Sequence, residues 1–357
     1  MARAVDVVVA GGGLAGAATA FFLSRTRGLR LLLVEKERDL AVHSSGRNAG
    51  LVRRASGEPF LDAMSVEGAD FIRAPPPDFP GPLPFRRTGS FLLVPPADAA
   101  RFAVAGARVA SVDEVARAVP PFRVDRSLAA IRADDDGVVE PWALLDGFVR
   151  GARSRGVEVR LGAEVVAIRS RGGRVAEVEL AGGEVVACRS VVDAAGAWAG
   201  PLAVAAGVAD PPLTPIRRHL LVTATDARID PAWPWIWDTV NGFYFRPETG
   251  GLLLCACDEA ADPPGNCVAD PQMAAEVAAK VERFLPELSG LRVAKLWAGH
   301  RTRRADHRFL VDEEPRRRGF VWAAGLGGHG VTCAAAVGRR VAAATLRSLE
   351  AAAEVGG

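Results

Sequence analysis

Apolar runs of strand length alternate with stretches of helical spacing in the first part of the chain. A largely apolar run at residues 5–10 is followed by a helical pattern to about residue 24, and a second apolar run covers residues 31–34. Short runs that are apolar on both faces are typical of buried parallel strands, which need a crossover helix between them. The pattern therefore predicts a β–α–β unit over residues 5–35.

The middle of the chain has a different pattern. A proline-rich break at residues 75–84 ends a helical segment, and short strands joined by paired glycines occupy residues 157–188. Residues 191–196 and the C-terminal part return to buried strand, glycine loop and long helix. We therefore predict an α/β (α+β) fold of two interleaved domains, one built from residues 1–75, 136–205 and 296–357 and the other from residues 76–135 and 206–295.

The first glycine cluster has the spacing of a dinucleotide-binding loop. Gly11 permits a sharp turn after the strand, Gly13 lets the backbone approach phosphates, and Gly16 lets the next helix pack closely. The helix N-terminus then faces the pyrophosphate with its N–H groups and positive dipole end. Glu35 ends the second apolar run, where this loop expects a carboxylate for a ribose hydroxyl. The alternative is a purely structural glycine turn.

A second glycine cluster at residues 325–330 also lies between an apolar strand and an alanine-rich helix. A ligand as long as FAD needs two anchoring points, whereas one glycine loop alone would leave FAD, NAD and a packing turn open. The two clusters together favour FAD.

Composition excludes several classes of function. The 44 basic and 42 acidic residues leave a net charge of +2, which gives no strong field for nucleic acid or an acidic membrane. The five cysteines form neither a disulfide framework nor a CxxC metal site, and we expect no bound metal. No cleavable leader and no transmembrane segment is apparent, so we expect a cytoplasmic protein.

Further motifs occur in a fixed order along the chain, at residues 8–35, 43–50, 193–198, 243–247, 297–301 and 325–330. In these motifs the chain resembles the D-amino-acid oxidase (DAO) branch of the FAD-dependent oxidoreductases, which includes glycine and sarcosine oxidases. Within that branch, D-arginine dehydrogenase has the most similar pattern. The resemblance implies a glutathione-reductase-like Rossmann FAD-binding domain, interleaved with a mixed-sheet substrate-binding domain that covers the flavin.

The resemblance also implies a set of residues around a non-covalent FAD. The polar loop would lie along the cofactor, the backbone of Val165 would contact adenine, and the C-terminal cluster would meet the flavin ring, where a helix dipole stabilises developing negative charge. The implied cofactor-binding residues are Gly11, Gly13, Leu14, Ala15, Gly16, Glu35, Lys36, Ser44, Ser45, Arg47, Asn48, Ala49, Gly50, Val165, Ala195, Gly196, Trp198, Arg301, Gly325, Gly327, Gly328, His329, Gly330 and Val331.

The implied reaction is oxidation of a D-amino acid or secondary amine to the imino acid, by hydride transfer from Cα to flavin N5. Arg301 matches the arginine that grips the substrate carboxylate, and Tyr244 matches a tyrosine whose hydroxyl meets the same group. Arg218 matches a second substrate-contacting arginine. His300 replaces an apolar residue of the family pattern and is expected to tune the choice of side chain.

Departures from the family pattern narrow the expectation. Ser90 stands where D-arginine dehydrogenase has a glutamate for a cationic side chain, so we expect an apolar or small side chain, with Trp233, Trp235 and Trp237 as core or pocket walls. Leu253 stands where sarcosine-oxidase-like relatives have a lysine that assists reaction with oxygen. We therefore expect a dehydrogenase whose partner is a quinone or a carrier protein.

Three alternatives remain open. An FAD-linked 2-hydroxyacid dehydrogenase would use the same arginine grip and hydride geometry. A non-catalytic FAD-binding subunit would bind the cofactor without turnover, and an NAD-binding protein would need the C-terminal glycine cluster to be helix punctuation only.

Overall fold

The computed structural model describes residues 3–104, 106–209 and 211–354. Residues 1, 2, 105, 210 and 355–357 belong to the predicted domain segments but lie outside the described residues. The strands are β1 (Arg3–Ala4), β2 (Val7–Ala10), β3 (Leu31–Glu35), β4 (Leu51–Val52), β5 (Phe85–Arg86), β6 (Ser90–Val94), β7 (Arg108–Ala110), β8 (Ala129–Ala133), β9 (Gly137–Val139), β10 (Glu158–Leu161), β11 (Val165–Arg171), β12 (Arg174–Leu180), β13 (Val185–Ala187), β14 (Ser190–Asp193), β15 (Thr214–Thr223), β16 (Trp235–Asp238), β17 (Phe243–Glu248), β18 (Gly251–Cys255), β19 (Val293–Arg303) and β20 (Phe320–Trp322).

The α-helices are α1 (Leu14–Leu23), α2 (Pro59–Arg73), α3 (Ala99–Phe102), α4 (Val112–Ala118), α5 (Pro141–Ser154), α6 (Ala199–Ala205), α7 (Met273–Phe284) and α8 (Gly330–Glu354).

A five-stranded parallel sheet holds the predicted β–α–β unit. Its strand order is β10-β3-β2-β14-β20, and every neighbouring pair is parallel. The side chains of β2 and of the apolar part of β3 are buried, which explains why both runs lack polar alternation. The β–α–β unit with buried parallel strands that the apolar runs predict is therefore confirmed.

Helices α1, α5 and α8 share one hydrophobic core on this sheet. Gly338 of α8 lies so close to α1 that an added Cβ would come within 2.6 Å of the carbonyl carbon of Ala18. This close approach of α8 and α1 draws the C-terminal glycine cluster, which immediately precedes α8, toward the first.

The second large sheet is mixed and has eight strands in the order β19-β15-β18-β17-β16-β6-β8-β7. Among its described strands, only β6 and β16 pair in parallel. These two strands lie far apart in sequence. One apolar core on this sheet includes residues of α4 and α7. Two smaller sheets, β1-β13-β12-β11 and β4-β9-β5, complete the fold.

Helix α7 lies in a segment whose sequence pattern predicts mainly strands. Its buried positions, Met273, Val277, Val281 and Phe284, follow helical spacing. Prolines at 263, 264, 271 and 286 surround the helix and gave the segment its irregular appearance.

Strand β19 crosses the expected domain boundary at residue 296. It pairs with β15 from Thr214↔Arg303 to Thr223↔Val293, so residues 296–303 belong to the eight-stranded sheet. Arg301 is thereby carried by the mixed sheet. Among the described residues, no helix combines the length and the apolar character needed to cross a bilayer.

Candidate active site

One cavity of about 450 Å³ lies between the two glycine clusters and the end of β19. Most of the residues that the sequence predicts for the site line it together. They are Gly11, Gly13, Leu14, Ala15, Glu35, Lys36, Ser44, Ser45, Arg47, Asn48, Val165, Ala195, Gly196, Trp198, Arg218, His300, Arg301, Gly325, Gly327, Gly328, Gly330 and Val331.

The first glycine loop needs glycine for two different reasons. Gly11 has φ +111°, and an added Cβ there would lie 2.3 Å from the carbonyl oxygen of Ala194. A Cβ on Gly16 would lie 1.9 Å from the carbonyl oxygen of Gly11, so Gly16 permits close helix packing and does not line the cavity. Gly13 does line the cavity, and its added Cβ would meet Ser45 Oγ at 2.9 Å.

The N-terminus of α1 is suited to an anion. Its N-cap, Gly13, supplies no side-chain hydrogen bond to the first turn. Leu14 N–H donates to Ser45 Oγ at 3.0 Å, and Ala15 is the next cavity-lining residue of the helix. A helix N-terminus with cavity-lining backbone and no carboxylate cap is the arrangement that binds a pyrophosphate. The loop therefore fits a dinucleotide phosphate.

The side chains at the end of β3 form a second part of the cavity. Glu35 accepts the N–H of Gly12 at 2.8 Å, which fixes the carboxylate against the glycine loop. Lys36 Nζ lies 3.7 Å from the ring centroid of Trp198, and Lys36 also pairs with Glu37 at 3.0 Å. These contacts place Lys36 and Trp198 together, as the sequence motifs predict for two cofactor-binding residues.

The polar loop at residues 43–50 connects the two large sheets. Ser44 Oγ donates to the carbonyl oxygen of His300 at 2.7 Å. Arg47 donates to the carbonyl oxygens of Val42 at 2.8 Å and Cys267 at 3.0 Å. The guanidinium of Arg47 thus holds backbone, although the residue also borders the cavity.

The C-terminal loop approaches the cavity through its glycines. Gly325, Gly327 and Gly328 have φ of +77°, +53° and +100°, a region that other residues rarely adopt. An added Cβ on Gly328 would lie 2.9 Å from Arg301 Nη1, so the loop packs directly on the arginine. His329 does not line the cavity; its Nε2 lies 2.5 Å from Arg53 Nη2.

Arg301 and Tyr244 form the pair that the sequence motifs predict. Arg301 Nη2 donates to Tyr244 Oη at 3.3 Å. Burial raises the pKa of Tyr244 well above its usual value, so the phenol stays protonated and can itself donate to an anion. Within residues 3–104, 106–209 and 211–354, no carboxylate lies at ion-pair distance from Arg301. This pair can therefore grip a substrate carboxylate.

Arg218 is largely engaged by the protein. Its Nε donates to the carbonyl oxygen of Asp258 at 2.6 Å, and its Nη2 pairs with Glu259 at 2.7 Å. Nη1 is buried and has no hydrogen-bond partner in the described part of the chain. Arg218 thus has one donor left for a ligand and is otherwise a fixed part of the wall.

His300 lies between the cavity and a small polar cluster. Its Nε2 is 2.8 Å from Asp262 Oδ2, although the angle is not that of a hydrogen bond. Burial lowers the pKa of His300, while the carboxylate of Asp262 opposes this shift. Asp262, Cys267 and His300 bring three metal-ligand atoms within 4.8 Å of one another. A neutral imidazole at this position is suited to shaping the pocket.

Sequence motifs and structure differ at a few positions. Ala49, Gly50 and Tyr244 do not border the main cavity, although Tyr244 reaches Arg301. Trp233 and Trp235 are buried core residues, whereas Trp237 is half-buried beside Tyr244, with ring centroids 5.7 Å apart.

Arg53 is a functional candidate that the sequence motifs do not indicate. It follows β4 and its guanidinium carbon lies 4.6 Å from the ring centroid of Trp237. The Arg53-Arg54 pair in the sequence has the appearance of ordinary surface charge. The local signal for a buried segment is limited to the apolar residues on either side of the arginine pair, Val52 and Ala55, which are both buried.

Comparisons with known proteins agree on the kind of cofactor. The sequence model of the DAO family, described as FAD dependent oxidoreductase, matches residues 6–344. FAD-dependent oxidoreductase domain-containing protein 1 of Bos taurus is 29% identical over 94% of this chain and 80% of its own length.

Two solved structures share the whole fold. L-proline dehydrogenase from P. horikoshii superposes with a TM-score of 0.85 at 21% identity, covering 96% of this chain and 93% of that one. Glycine oxidase from Geobacillus kaustophilus gives a TM-score of 0.82 at 22% identity, covering 97% of this chain and 95% of that one.

Proposed function

The chain belongs to the DAO family of FAD-dependent oxidoreductases, an amino-acid and amine oxidoreductase family that acts on CH–NH bonds, and we propose that it oxidises a D-amino acid or secondary amine to the imino acid. The cofactor is FAD. The observation that carries the proposal is the Arg301–Tyr244 pair, which adjoins the cavity between two glycine loops. No carboxylate of the described residues lies at ion-pair distance from this arginine. L-proline dehydrogenase and glycine oxidase, both named for amino acids, support the choice of an amine over an alcohol.

The residues of the cavity fit FAD at both ends. Gly11, Gly13 and the start of α1 would hold the pyrophosphate, and Glu35 would meet a ribose hydroxyl. Val165 would contact adenine, and the cavity-lining residues of the C-terminal loop, Gly325 to Gly328, Gly330 and Val331, would border the flavin ring. FAD, when bound, supplies the acceptor for the hydride that leaves the substrate Cα.

The protein's own residues would then orient the substrate. Arg301 would hold the carboxylate by two parallel hydrogen bonds, and Tyr244 would add a third from its hydroxyl. Holding the carboxylate fixes the direction of the Cα–H bond, which is the main requirement for transfer without a dedicated base. His300 would limit the room for the substrate side chain.

The remaining parts of the proposal concern electrons and domains. Leu253 is buried beside Tyr244 and Cys255. An apolar side chain therefore occupies the position where sarcosine-oxidase-like relatives have a lysine. This supports a dehydrogenase with a quinone or carrier protein as acceptor. We also propose that the FAD is bound non-covalently, as the family resemblance implies. We assign residues 1–75, 136–205 and 304–357 to the FAD-binding domain, and residues 76–135 and 206–303 to the substrate-binding domain, moving the last boundary from 296 because β19 pairs with β15. The similarity to D-arginine dehydrogenase and the cytoplasmic location stay predictions.

The test is dye reduction by the purified holoenzyme with amino acids of both configurations, N-methyl amino acids and 2-hydroxy acids. We expect turnover with an amine-bearing acid and a faster rate with dye than with oxygen. Turnover confined to 2-hydroxy acids would replace the proposal with the FAD-linked 2-hydroxyacid dehydrogenase.

A further inference from the structure

Arg53 lies near the Arg301–Tyr244 pair and, like Arg301, has no carboxylate at ion-pair distance among the described residues. Arg53 contacts Trp237 through the ring face, at 4.6 Å from the guanidinium carbon to the ring centroid. Its Nη2 lies 2.5 Å from Nε2 of His329, and its backbone N–H donates to Thr332 Oγ1 at 3.2 Å. These contacts hold the side chain in one position.

The contacts of Arg53 lead back to Arg301 in two directions. On one side Trp237 contacts Tyr244, with ring centroids 5.7 Å apart, and Tyr244 Oη accepts from Arg301 at 3.3 Å. On the other side His329 follows Gly328, whose backbone packs against the Arg301 guanidinium. The two guanidiniums therefore belong to one closed ring of contacts, which passes through Trp237 and Tyr244 on one side and through His329 and the Gly328 backbone on the other.

Neither Arg53 nor Arg301 has a carboxylate at ion-pair distance in the part of the chain that the structure describes. Asp136 and Asp62 are the carboxylates that act on Arg53 electrostatically. Asp136 accepts from Ser90 Oγ at 2.7 Å and from Arg54 N–H at 3.0 Å, and Asp62 accepts from Ser56 Oγ at 2.8 Å. Neither is at ion-pair distance from Arg53, nor is any other carboxylate of the residues that the structure describes.

The ring remains cationic at neutral pH. Burial lowers the pKa of Arg53 to about 10, which still leaves the guanidinium protonated. Burial, together with Arg53 and Arg301, lowers the pKa of His329 well below its usual value, so that its neutral Nε2 accepts from Arg53. Both guanidiniums are half-buried. Removing part of an unpaired charge from water costs free energy, and an anionic ligand at each guanidinium would offset that cost.

We propose that the substrate carries two carboxylates, the first bound by Arg301 and Tyr244 and the second bound by Arg53. This inference rests on the proposed function, because it takes the substrate α-carboxylate to occupy Arg301. It names the substrate class as dicarboxylic amino acids, in place of the apolar or small side chain that the sequence predicts. Arg53 is then the residue that determines specificity, with His329 and Trp237 holding it in place.

Binding of unreactive acids tests the inference without turnover. Calorimetric titration of the holoenzyme compares glutarate and succinate, which have two carboxylates, with butyrate, which has one. We expect the better dicarboxylate to bind about 10- to 100-fold more tightly than butyrate, the range of a charge-assisted hydrogen bond. Equal affinities in the wild-type protein would overturn the inference, whatever the variants show.

Variants of Arg53 assign the effect to this residue. We expect Arg53→Gln to remove the dicarboxylate preference and to leave butyrate affinity within about twofold. Arg53→Lys keeps the charge without the planar fork and should retain part of the preference. The matched control is Arg73→Gln, which removes an exposed arginine paired with Asp70. A loss shared equally by butyrate would mean that Arg53 only supports the fold.

Steady-state turnover separates this inference from the proposed function. Aspartate and glutamate are compared with alanine and norvaline, in both configurations. Turnover of alanine or norvaline with no preference for the diacids would overturn the inference and leave the proposed function standing. Selective binding of glutarate with no turnover of any amine would overturn the proposed function and leave the second carboxylate-binding site at Arg53 standing. For the diacids, Arg53→Gln should raise KM more than it lowers kcat.

Discussion

Arg301 differs from most arginines of this chain, which pair with a carboxylate on a neighbouring turn or strand. The next residues of the same region illustrate the contrast, since Arg303 pairs with Glu259 and Arg304 with Asp306, both at 2.8 Å. Such exposed pairs contribute little to stability. Arg301 instead contacts a buried phenol and a glycine loop, and we propose that it binds an anionic ligand.

Replacing Arg301 by Gln tests its role directly. We expect kcat/KM to fall about 10- to 100-fold, mainly through KM, because a charge-assisted pair of hydrogen bonds to the carboxylate is lost. FAD content should stay at the wild-type level. Arg304→Gln, which removes an arginine of an outer ion pair, should leave the kinetics unchanged. Wild-type KM in Arg301→Gln would contradict the assignment.

Asp136 gives a pH dependence at the residue scale. Its carboxyl is buried beneath Ser90, and burial raises its pKa from 3.8 to about 6. Between these values the folded protein binds more protons than the unfolded chain, so the contribution of Asp136 to stability is present below pH 4 and is lost as pH rises through 6.

The variant Asp136→Asn should remove that part of the pH profile. We expect the free energy of unfolding, relative to wild type, to change by about 2 to 3 kcal/mol between pH 4 and pH 7. Ser90→Ala removes a hydrogen-bond donor that favours the charged carboxylate of Asp136. The pKa of Asp136 should then rise further, so that its contribution to stability persists to higher pH. Denaturant titration at a series of pH values, with excess FAD, measures both. A pH-independent difference between Asp136→Asn and wild type would contradict the account.

The residue scale also shows what sequence motifs can and cannot provide. The glycines could be proposed as site residues from the spacing of their loops, and Arg301 could be proposed because its motif resembles that of the DAO family. Arg53 could not be proposed from the sequence, because its partner His329 lies 276 positions away and nothing local distinguishes Arg53 from Arg54. Long-range side-chain contacts of this kind appear only after folding.

At the scale of single elements, the β2–α1 junction separates a folding requirement from a binding requirement. Gly16 faces backbone, since its added Cβ would overlap the carbonyl oxygen of Gly11 at 1.9 Å. Gly13 faces Ser45 Oγ at 2.9 Å and borders the cavity. Substitution by alanine therefore has different consequences at the two positions.

We expect Gly16→Ala to prevent stable folding and Gly13→Ala to leave a folded protein with weak FAD binding. An overlap of the Gly13 kind costs about 1 to 3 kcal/mol, which is about 5- to 150-fold in FAD affinity. Gly200→Ala is the control, because its added Cβ has only Pro211 within 4 Å, at 3.8 Å. Flavin content and thermal unfolding report the two effects. Full FAD content in Gly13→Ala would show that the loop does not hold the pyrophosphate.

Element prediction succeeded where one pattern dominates. Strands β2 and β3 and the end of helix α1 were predicted to within a residue or two, because the strands are continuous apolar runs and the helical pattern follows the first of them directly. Helix α7 was missed because prolines and polar turns on both sides obscured its helical spacing. A capping box of Ser111 and Glu114 starts α4. The Ser-x-x-Glu spacing is a local sequence signal for a helix start, from which α4 could have been predicted.

At the scale of the whole molecule, the site depends on two sheets built from interleaved segments. The parallel sheet carries the first glycine loop, and β19 of the mixed sheet carries His300 and Arg301. Ser44 connects them through its hydrogen bond to the carbonyl oxygen of His300. The interleaved arrangement could be predicted because the pattern of buried strand, glycine loop and helix returns after residue 191. The parallel pairing of β6 with β16 could not be predicted, because those strands lie more than a hundred residues apart.

The most direct test of the central claim is the visible spectrum of the purified, FAD-supplied protein during anaerobic addition of amino acids. We predict flavin absorption bands that bleach on addition of an amine-bearing acid, with dicarboxylic amino acids acting at the lowest concentrations. A protein that takes up no flavin, or flavin bands that persist with every amino acid in the panel, would contradict the claim that this chain is an FAD-dependent amine oxidoreductase.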